Sequence, residues 1–276
     1  MNVSHSDNTL SQAIRALGHN DFFPALLSWL EIDKLVTDPL ALLYQPDQRP
    51  IVLYHSYDQK HYQDHVRAYI DTGIYVLDPF YRASVEHQQQ GISELADVAP
   101  DEFEQSEFFT QYYAPLKLHH EITVLVPLNE HCFLHFSLDT AEGSEQTCRD
   151  ILEARIDVLT SLLFQQGQQL LQQNDSQHFV AQSVHQALNN FGSSILTPRE
   201  QDIVHLMLQG HSNQSAAEKL NVAHSTVKSH RKSIYQKLDI TSQSELFYLF
   251  LDALPHLSAD TPDPLSHYLT PPPKGG

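Results

Sequence analysis

The chain has 276 residues, of which 41% are hydrophobic, and this size and composition suit about two globular domains. A formal net charge of −18 excludes a protein whose whole surface binds nucleic acid. With only two cysteines, the chain cannot be held together by a framework of disulfide bonds. The sequence shows no basic-then-apolar leader and no apolar run of membrane-spanning length, which predicts a cytoplasmic protein without a membrane partner.

The first half of the chain has the pattern of a mixed helix-and-strand domain. Residues 1–30 predict two short helices, and two pairs of β-rich runs predict hairpins at 40–45 with 50–57 and at 121–129 with 131–139. The stretches between the hairpins predict helices at about 58–72, 79–90 and 104–114. We therefore expect an α+β protein that begins with an antiparallel-sheet α/β sensor-like domain. A sheet covered by helices in this way can enclose a pocket.

Aromatic residues are dense between the two predicted hairpins, and Tyr112 and Tyr113 are among them. The segment HYQDHVRAYIDTGIYVLDPFYRAS (61–84) is similar to the acyl-homoserine-lactone-binding domains of LuxR-type receptors, and its Tyr69 and Asp78-Pro79 match in spacing. His65 stands where that family has tryptophan, so the resemblance implies the position of a pocket but not a lactone ligand. The candidate pocket residues are Tyr54, Tyr57, Tyr62, His65, Tyr69, Tyr75, Asp78 and Phe80.

These residues also have plainer interpretations. Asp78 before Pro79 is a typical start of a helix, with the carboxylate as cap and proline in the first turn. An aromatic stripe is also typical of an ordinary core, although buried tyrosines need partners for their hydroxyls.

Residues 145–173 predict one long amphipathic helix, which would either pair two subunits or pack on its own sheet. A second amphipathic piece, about 176–191, precedes a Gly-Ser-Ser break at 192–194 that favours a flexible linker. Proline and small polar residues from 255 onward predict disorder. The expected domains are a sensor at 1–173, a helix and linker at 174–195, a DNA-binding domain at 196–254 and a disordered tail at 255–276.

Residues 196–254 predict a compact helix-turn-helix fold, in which four short helices follow one another closely. Thr197 and Glu200 form a capping-box pattern, Gly210 favours a left-handed stop, and Asn221 favours a turn at positive φ. The third helix, about Ser225 to Leu238, places Val227, Ile234 and Leu238 on one narrow stripe. Its opposite side is small, polar and basic, as a helix in the major groove requires.

This region resembles the DNA-binding domain of LuxR/FixJ/NarL-type bacterial transcription factors. The matching motifs are L-T-P-R-E, then V-x-H-L-M-L-Q-G-x-S-N, then A-x-x-L-N-V-x-x-x-T-V-K-x-H-x-x-x-I-Y-x-K-L. The resemblance implies that the third helix reads DNA and that residues 242–251 contribute to a dimer. The chain departs from the family at Asn221, where glycine is usual, and at Ala223, where a Ser or Thr cap is usual. The candidate DNA-binding residues are Ser225, Thr226, Lys228, Ser229, His230, Arg231, Lys232, Gln236 and Lys237.

The charge is consistent with this reading once it is divided by region. Residues 1–196 carry 9 basic and 26 acidic residues, whereas residues 197–254 carry 6 of each. DNA would therefore meet only the third helix, with strong sensitivity to salt. The expected partners are double-stranded DNA, a second copy of the chain through 145–173 or 242–251, a small-molecule effector and RNA polymerase.

We therefore expect a sequence-specific transcriptional regulator controlled by a small molecule. The alternative is a constitutive or partner-controlled regulator whose first domain only mediates dimerisation or interaction. An enzyme is not expected, because no G-x-S-x-G, phosphate loop, Cys-x-x-Cys or H-E-x-x-H motif occurs. The dispersed acids argue against a receiver domain, and the His119-His120 pair lacks metal-ligand spacing, so neither metal nor cofactor is expected.

Overall fold

The structure, a computed structural model, describes residues 5–45, 48–116, 120–173, 188–254 and 263–265. It divides into two compact units that each draw on separated stretches of sequence. The first unit contains the described residues within Met1–Asp64, Phe80–Val98 and Leu118–Phe179, and the second contains those within His65–Pro79, Ala99–Lys117 and Val180–Gly276.

The first unit is built on a five-stranded antiparallel sheet with the strand order β2-β1-β5-β4-β3. Both predicted hairpins are confirmed, as is the α+β fold class. The strands are β1 (Val36–Tyr44), β2 (Ile51–His55), β3 (Gly91–Glu94), β4 (Glu121–Pro127) and β5 (Phe133–Thr140). The helices of the chain up to residue 173 are α1 (His5–Arg15), α2 (Phe22–Leu30), α3 (Gln59–His61), α4 (Ala68–Thr72), α5 (Pro79–Val85), α6 (Leu95–Val98) and α7 (Glu145–Gln173), of which α4 belongs to the second unit.

One face of this sheet forms the main hydrophobic core with α2 and α7. Because side chains alternate along a strand, Val124 on β4 and Phe136 on β5 point to the same face, where Phe22 of α2 and Leu159 of α7 pack. Burying each such side chain stabilises the fold by about 1.5–3 kcal/mol. The predicted helix 145–173 is confirmed in its bounds, and none of the described helices is both long and apolar enough to span a bilayer.

Strand β3 was not predicted, because GISE at 91–94 is short and follows polar residues. Its backbone pairs with that of β4 in an antiparallel ladder, from Gly91 opposite Leu125 to Glu94 opposite Ile122. The helix predicted at 79–90 ends instead at Val85. The predicted stretches 58–72 and 104–114 contain π-helices at Tyr62–Arg67 and Phe109–Tyr113. The 3₁₀ helices at Phe103–Gln105 and Ala114–Leu116 overlap the two ends of 104–114, and a third, Ile74–Leu77, lies where no helix was predicted.

The second unit contains the four helices predicted for the DNA-binding fold. They are α8 (Pro198–Leu208), α9 (Asn213–Lys219), α10 (His224–Leu238) and α11 (Gln243–Ala253). The Thr197–Glu200 capping box forms, and Gly210 and Asn221 take positive φ angles of 90° and 53°. Ala223 at the start of α10 provides no side-chain cap. Buried residues from α8, α10 and α11, including Ile203, Ile234 and Phe250, fill the interior.

The expected disorder after residue 255 does not extend to the three described tail residues. Residues 263–265 pack on the turn at 192–194, and the rest of the predicted tail lies outside the described residues, as does most of the helix predicted at 176–191. Asp263 is 2% exposed and its carboxylate accepts hydrogen bonds from the backbone N–H groups of Gly192, Ser194 and Leu265. Leu265 is fully buried. The Gly-Ser-Ser break is therefore a hydrogen-bonded turn rather than a flexible linker.

Replacing Asp263 tests whether this contact holds the turn. We expect Asp263→Ala to lower the free energy of unfolding by about 2 kcal/mol, because backbone donors lose a charged acceptor. Chemical denaturation of the full chain measures the loss. Asp202→Ala, which removes a carboxylate from an exposed ion pair with Arg199, should cost less than about 0.5 kcal/mol. An equal effect of the two substitutions would contradict the assignment.

Candidate functional site

Helix α10 is oriented by two fully covered residues on its inner side. Val227 and Ile234, seven residues apart, are 1% and 0% exposed and lie on one stripe of the helix. This anchoring leaves the opposite side accessible along the whole helix. The exposed residues on that side are Ser225, Lys228, Ser229, Lys232 and Gln236, while Thr226 and His230 are half-buried.

The four basic residues of α10 differ in their surroundings. Lys228 and Lys232 are exposed, and together with Arg231 and Gln236 they line an open cleft of about 660 Å³. Arg231 donates hydrogen bonds to Asn213 of α9, Tyr235 and Gln243 of α11, so its guanidinium also connects three helices. An arginine held in place presents its remaining surface to a phosphate without first losing side-chain freedom. The cleft is thus basic, partly preorganised and open.

Lys237 and Ser233 are bound to a carboxylate inside the fold. Glu200, only 3% exposed, accepts hydrogen bonds from Lys237 at 2.6 Å and from Ser233 at 2.7 Å, as well as from Thr197. Burial disfavours ionisation, but the hydrogen bonds from Lys237, Thr197 and Ser233 outweigh it and lower the pKa of Glu200 to about 2. The sequence pattern identified Glu200 only as a helix cap. Its link to α10 was missed, because it depends on tertiary packing.

The candidate pocket residues within the first unit do not share one environment. Tyr54 stacks on Phe23 of α2 at 5.3 Å, which places it with the main core. Tyr62 stacks on His55 at 4.1 Å, and the same histidine lies 6.4 Å from the ring of Tyr57. Burial, with the nearby carboxylate of Glu121, raises the pKa of Tyr57 above its usual value. A separate small cluster contains Phe80 of α5, with Ala83 and Leu125 of β4.

The candidate pocket residues within the second unit converge on Asp78. The hydroxyls of Tyr69 and Tyr113 each donate a hydrogen bond to Asp78 Oδ2 at 3.2 Å, and the carboxyl residue is 7% exposed. Tyr75 lies 6.2 Å from Tyr69, ring centre to ring centre, and His65 is half-buried on the preceding π-helical turn. Asp78 has extended backbone immediately before Pro79, as both interpretations of this residue require. Tyr113 stood in the aromatic pattern, but nothing in the sequence paired it with Asp78.

A polar strip on the second face of the sheet was not predicted. Thr123 of β4 lies opposite Ser93 of β3 and Ser137 of β5, and its hydroxyl is 2.9 Å from that of Ser137. Beside this strip, the hydroxyl of Ser84 lies 2.7 Å from His135 Nε2. These are groups that a sheet facing only a hydrophobic core would not carry.

The Ser84–His135 contact has the atoms of a nucleophile and a base, but not the accessibility. Ser84 is 0% and His135 3% exposed, and the ring of Tyr44 covers the imidazole at 4.4 Å. Burial lowers the pKa of His135 to about 3, which keeps the ring neutral at physiological pH. The pair therefore satisfies two buried polar groups. Among the described residues, no group of three His, Cys, Asp or Glu side chains is arranged to hold a metal ion.

Residues 194–250 match the family model for bacterial regulatory proteins of the luxR family. An HTH-type transcriptional regulator from the exeN 3′ region of Aeromonas salmonicida is 31% identical over 187 residues, covering 64% of this chain and 94% of the relative. The chain belongs to the LuxR family of bacterial regulatory proteins. It is thus a DNA-binding transcriptional regulator, and its relatives are transcriptional regulators as well.

Other LuxR-family similarities are more local. The nitrate/nitrite response regulator protein NarP of Escherichia coli is 41% identical over 58 residues, which cover 21% of this chain and 27% of NarP. Among solved structures, the VqsR LBD domain from Pseudomonas aeruginosa is 27% identical with a TM-score of 0.48, and the match covers 58% of this chain and 93% of that domain.

A test of the exposed face of α10 uses Lys232, which lies opposite Val227. We expect Lys232→Ala to weaken binding to operator DNA by roughly tenfold at low salt. The slope of log affinity against log salt concentration should fall by about one, because one fewer counterion is released on binding. Fluorescence anisotropy across a salt series measures both quantities. Lys219→Ala removes an exposed lysine from the neighbouring α9 and should leave affinity within about twofold. Unchanged affinity in Lys232→Ala would remove the residue from the interface.

Glu200 provides a test of how α10 is held. We expect Glu200→Gln to lower the free energy of unfolding by about 2–4 kcal/mol, because Lys237 loses its charged partner. The contribution of an acid with a depressed pKa is present above its ordinary pKa of 4.5 and is lost as the pH falls toward about 2. Denaturation between pH 6 and 2 should therefore show the variants converging in that window. The exposed Glu218→Gln is the control, and a constant difference at all pH values would contradict the assignment.

Proposed function

We propose that this LuxR-family regulator reads an operator by placing α10 in the major groove. The observation that carries the proposal is the exposed side of α10, where Lys228 and Lys232 flank small polar side chains while Val227 and Ile234 fix the helix from beneath. Small side chains allow close approach to base edges, and lysines flanking them reach the phosphates. The nine residues from Ser225 to Lys237 named above as candidates remain our proposed contact set. Because Lys237 is engaged by Glu200, we assign it a smaller share of phosphate binding.

We propose further that the active species is a homodimer. Two large apolar side chains on α7, Val158 and Phe164, are 43% and 36% exposed, although the same helix buries Leu159 and Leu163 in the core. Exposed apolar side chains on a long helix suit an interface with a second copy of the chain. Helix α11 is the second candidate, because Tyr248 on its outer side is 50% exposed. A two-fold dimer would match two operator half-sites, and binding to chromosomal DNA would place the protein in the cytoplasm.

Control by a small molecule is supported by the group around Asp78. The two hydrogen bonds from Tyr69 and Tyr113, at 3.2 Å, are long for hydroxyls that donate to a carboxylate, where 2.5–2.7 Å is usual. A ligand N–H or O–H donor would make a shorter bond and displace one of these tyrosines. We therefore propose an effector that carries both a hydrogen-bond donor and apolar surface.

The second candidate is a constitutive regulator, and the contacts of Asp78 also support it. Asp78 precedes Pro79 at the start of α5 and already accepts two tyrosine hydroxyls, which suffices for a structural role in which the carboxylate holds Tyr69 and Tyr113. In that case the first unit would contribute dimerisation or bind a partner protein. The two candidates differ in whether a small molecule stays with the purified chain.

Native mass spectrometry of the chain purified from its own host separates these candidates. We expect a dimer that retains one small molecule per subunit, and the mass difference would give the ligand mass. Asp78→Asn keeps the size of the side chain but removes its charge, so we expect it to lose the bound molecule while remaining dimeric and folded by circular dichroism. Tyr62→Phe, on the His55 cluster, serves as the matched control. An empty and stable wild-type dimer would favour constitutive or partner control.

A further inference from the structure

One basic residue of α10 does not lie on its outer face. At 100° per residue, Arg231 lies about 40° around the helix from the inward-facing Val227, whereas Lys232 lies about 140° from it. Arg231 is half-buried and Lys232 is exposed. The side chain of Arg231 therefore leaves α10 toward the neighbouring helices and not toward the side on which Lys232 lies.

The guanidinium of Arg231 joins the first residues of two other helices. It donates hydrogen bonds to Asn213 Oδ1, at the start of α9, at 2.8 Å and to Gln243 Oε1, at the start of α11, at 3.0 Å. A third bond of 3.0 Å goes to the Tyr235 hydroxyl, one turn further along α10. Because the guanidinium is planar, three bonds fix its direction as well as its position.

Gln243 extends this connection to the remaining helix of the fold. Its Nε2 donates a hydrogen bond to the Met207 carbonyl, in the last turn of α8, at 2.8 Å. The hydrogen bonds that run from Met207 through Gln243 and Arg231 to Asn213 thus reach all four helices, and we call these four residues the bridging line. Gln243 donates at one end and accepts at the other, so its loss would break the line in the middle.

The bridging line holds α10 on the flank opposite to the one held by Glu200. Ser233 and Lys237, the two partners of Glu200 on α10, lie about 120° and 80° around the helix on one side of Val227, and Arg231 lies on the other side. Apolar packing beneath the helix is non-directional, whereas hydrogen bonds weaken steeply when their angle changes. The two flanks together therefore fix the rotation of α10 about its axis.

The three acceptors around Arg231 are neutral, unlike the carboxylate that binds Lys237. The positive charge of Arg231 is therefore not cancelled by them, and it adds to the charges of Lys228 and Lys232 along the open cleft. A lysine in place of Arg231 would keep this charge. A lysine carries a compact ammonium on a flexible stem, so it would not hold three acceptors in one plane. One substitution can thus separate the charge of Arg231 from its geometry.

We propose that Arg231 is a positioning residue, which determines how well α10 distinguishes one base sequence from another without contacting a base itself. Base readout requires side chains to be held within about 0.5 Å of their productive geometry, whereas attraction to phosphates tolerates larger shifts. Loss of the bridging line should therefore reduce specific binding and spare non-specific binding. Any contact of Arg231 with DNA would be to phosphate. This inference rests on the proposed reading of an operator by α10.

The test uses the full chain and two substitutions in the bridging line. Arg231→Lys keeps the charge and removes the three-way bonding, and Gln243→Ala breaks the line without changing any charge. The control is Gln214→Ala, which removes an exposed glutamine of α9 whose amide donates to Glu218. A duplex that the wild-type chain selects from a random pool serves as operator, and a scrambled duplex of equal length measures non-specific binding, both by fluorescence anisotropy.

We expect Arg231→Lys to bind the operator on the order of tenfold more weakly than the wild type. Its affinity for the scrambled duplex should stay within about twofold, and its salt dependence should be unchanged because the number of charges is unchanged. Gln243→Ala should shift the operator affinity in the same direction, and Gln214→Ala should leave it within about twofold. The double variant of Arg231→Lys and Gln243→Ala should lose no more than Arg231→Lys alone, because both changes break the same line.

Equal losses on the two duplexes would show that Arg231 acts by its charge or through general stability, and would overturn the inference. Unchanged operator preference in both variants, or losses that add in the double variant, would overturn it as well. Each of these outcomes leaves operator reading by α10 intact, whereas a wild-type chain that selected no duplex would end the proposed function and the inference together. Circular dichroism checks folding, and Gln243→Ala decides the question if Arg231→Lys does not fold.

Discussion

The DNA-binding fold depends on one carboxylate buried beneath its reading helix. The carboxylate of Glu200 accepts hydrogen bonds from Thr197 at the start of α8 and, across the interior, from Ser233 and Lys237 of α10. A buried charge is costly unless its partners satisfy it, and here they come from both helices at once. The rotation of α10 about its axis is thereby restricted. The exposed lysines point outward because the opposite side is held by a charge as well as by apolar packing.

The two faces of the sheet in the first unit differ, because one is apolar and the other carries polar side chains. The face toward α2 and α7 is apolar from Val124 to Phe136, whereas the other face carries Ser93, Thr123 and His135, all nearly fully buried. Polar side chains at such positions are retained where they meet partners, either within the protein or in a ligand. A second concentration of buried polar groups, the carboxylate of Asp78 with the hydroxyls of Tyr69 and Tyr113, lies in the second unit.

Sequence patterns predicted local features well and non-local contacts poorly. The two hairpins, α7 and the four helices after Thr197 followed from alternation, helical periodicity and capping residues, which act over a few neighbouring positions. Strand β3 was missed because its stability comes from pairing with β4. The prediction of a flexible linker at 192–194 was wrong, because Asp263, 71 positions away from Gly192, accepts hydrogen bonds from the backbone of this turn. For the candidate site, the exposed face of α10 was readable from spacing, but the engagement of Lys237 by Glu200 and of Asp78 by Tyr113 depends on tertiary structure.

The interleaving of the two units affects how the chain folds during synthesis. Residues 65–79 and 99–117 belong to a compact unit whose remaining part begins after residue 180. The turn at Gly210, which meets Phe103, is made more than a hundred residues after that phenylalanine. At about 5–20 residues per second, the ribosome leaves this aromatic stretch without its final neighbours for roughly 5–20 s. The sheet of the first unit can pair its strands during that interval, so the nascent chain passes through a stage in which one unit is assembled and the other still awaits most of its residues.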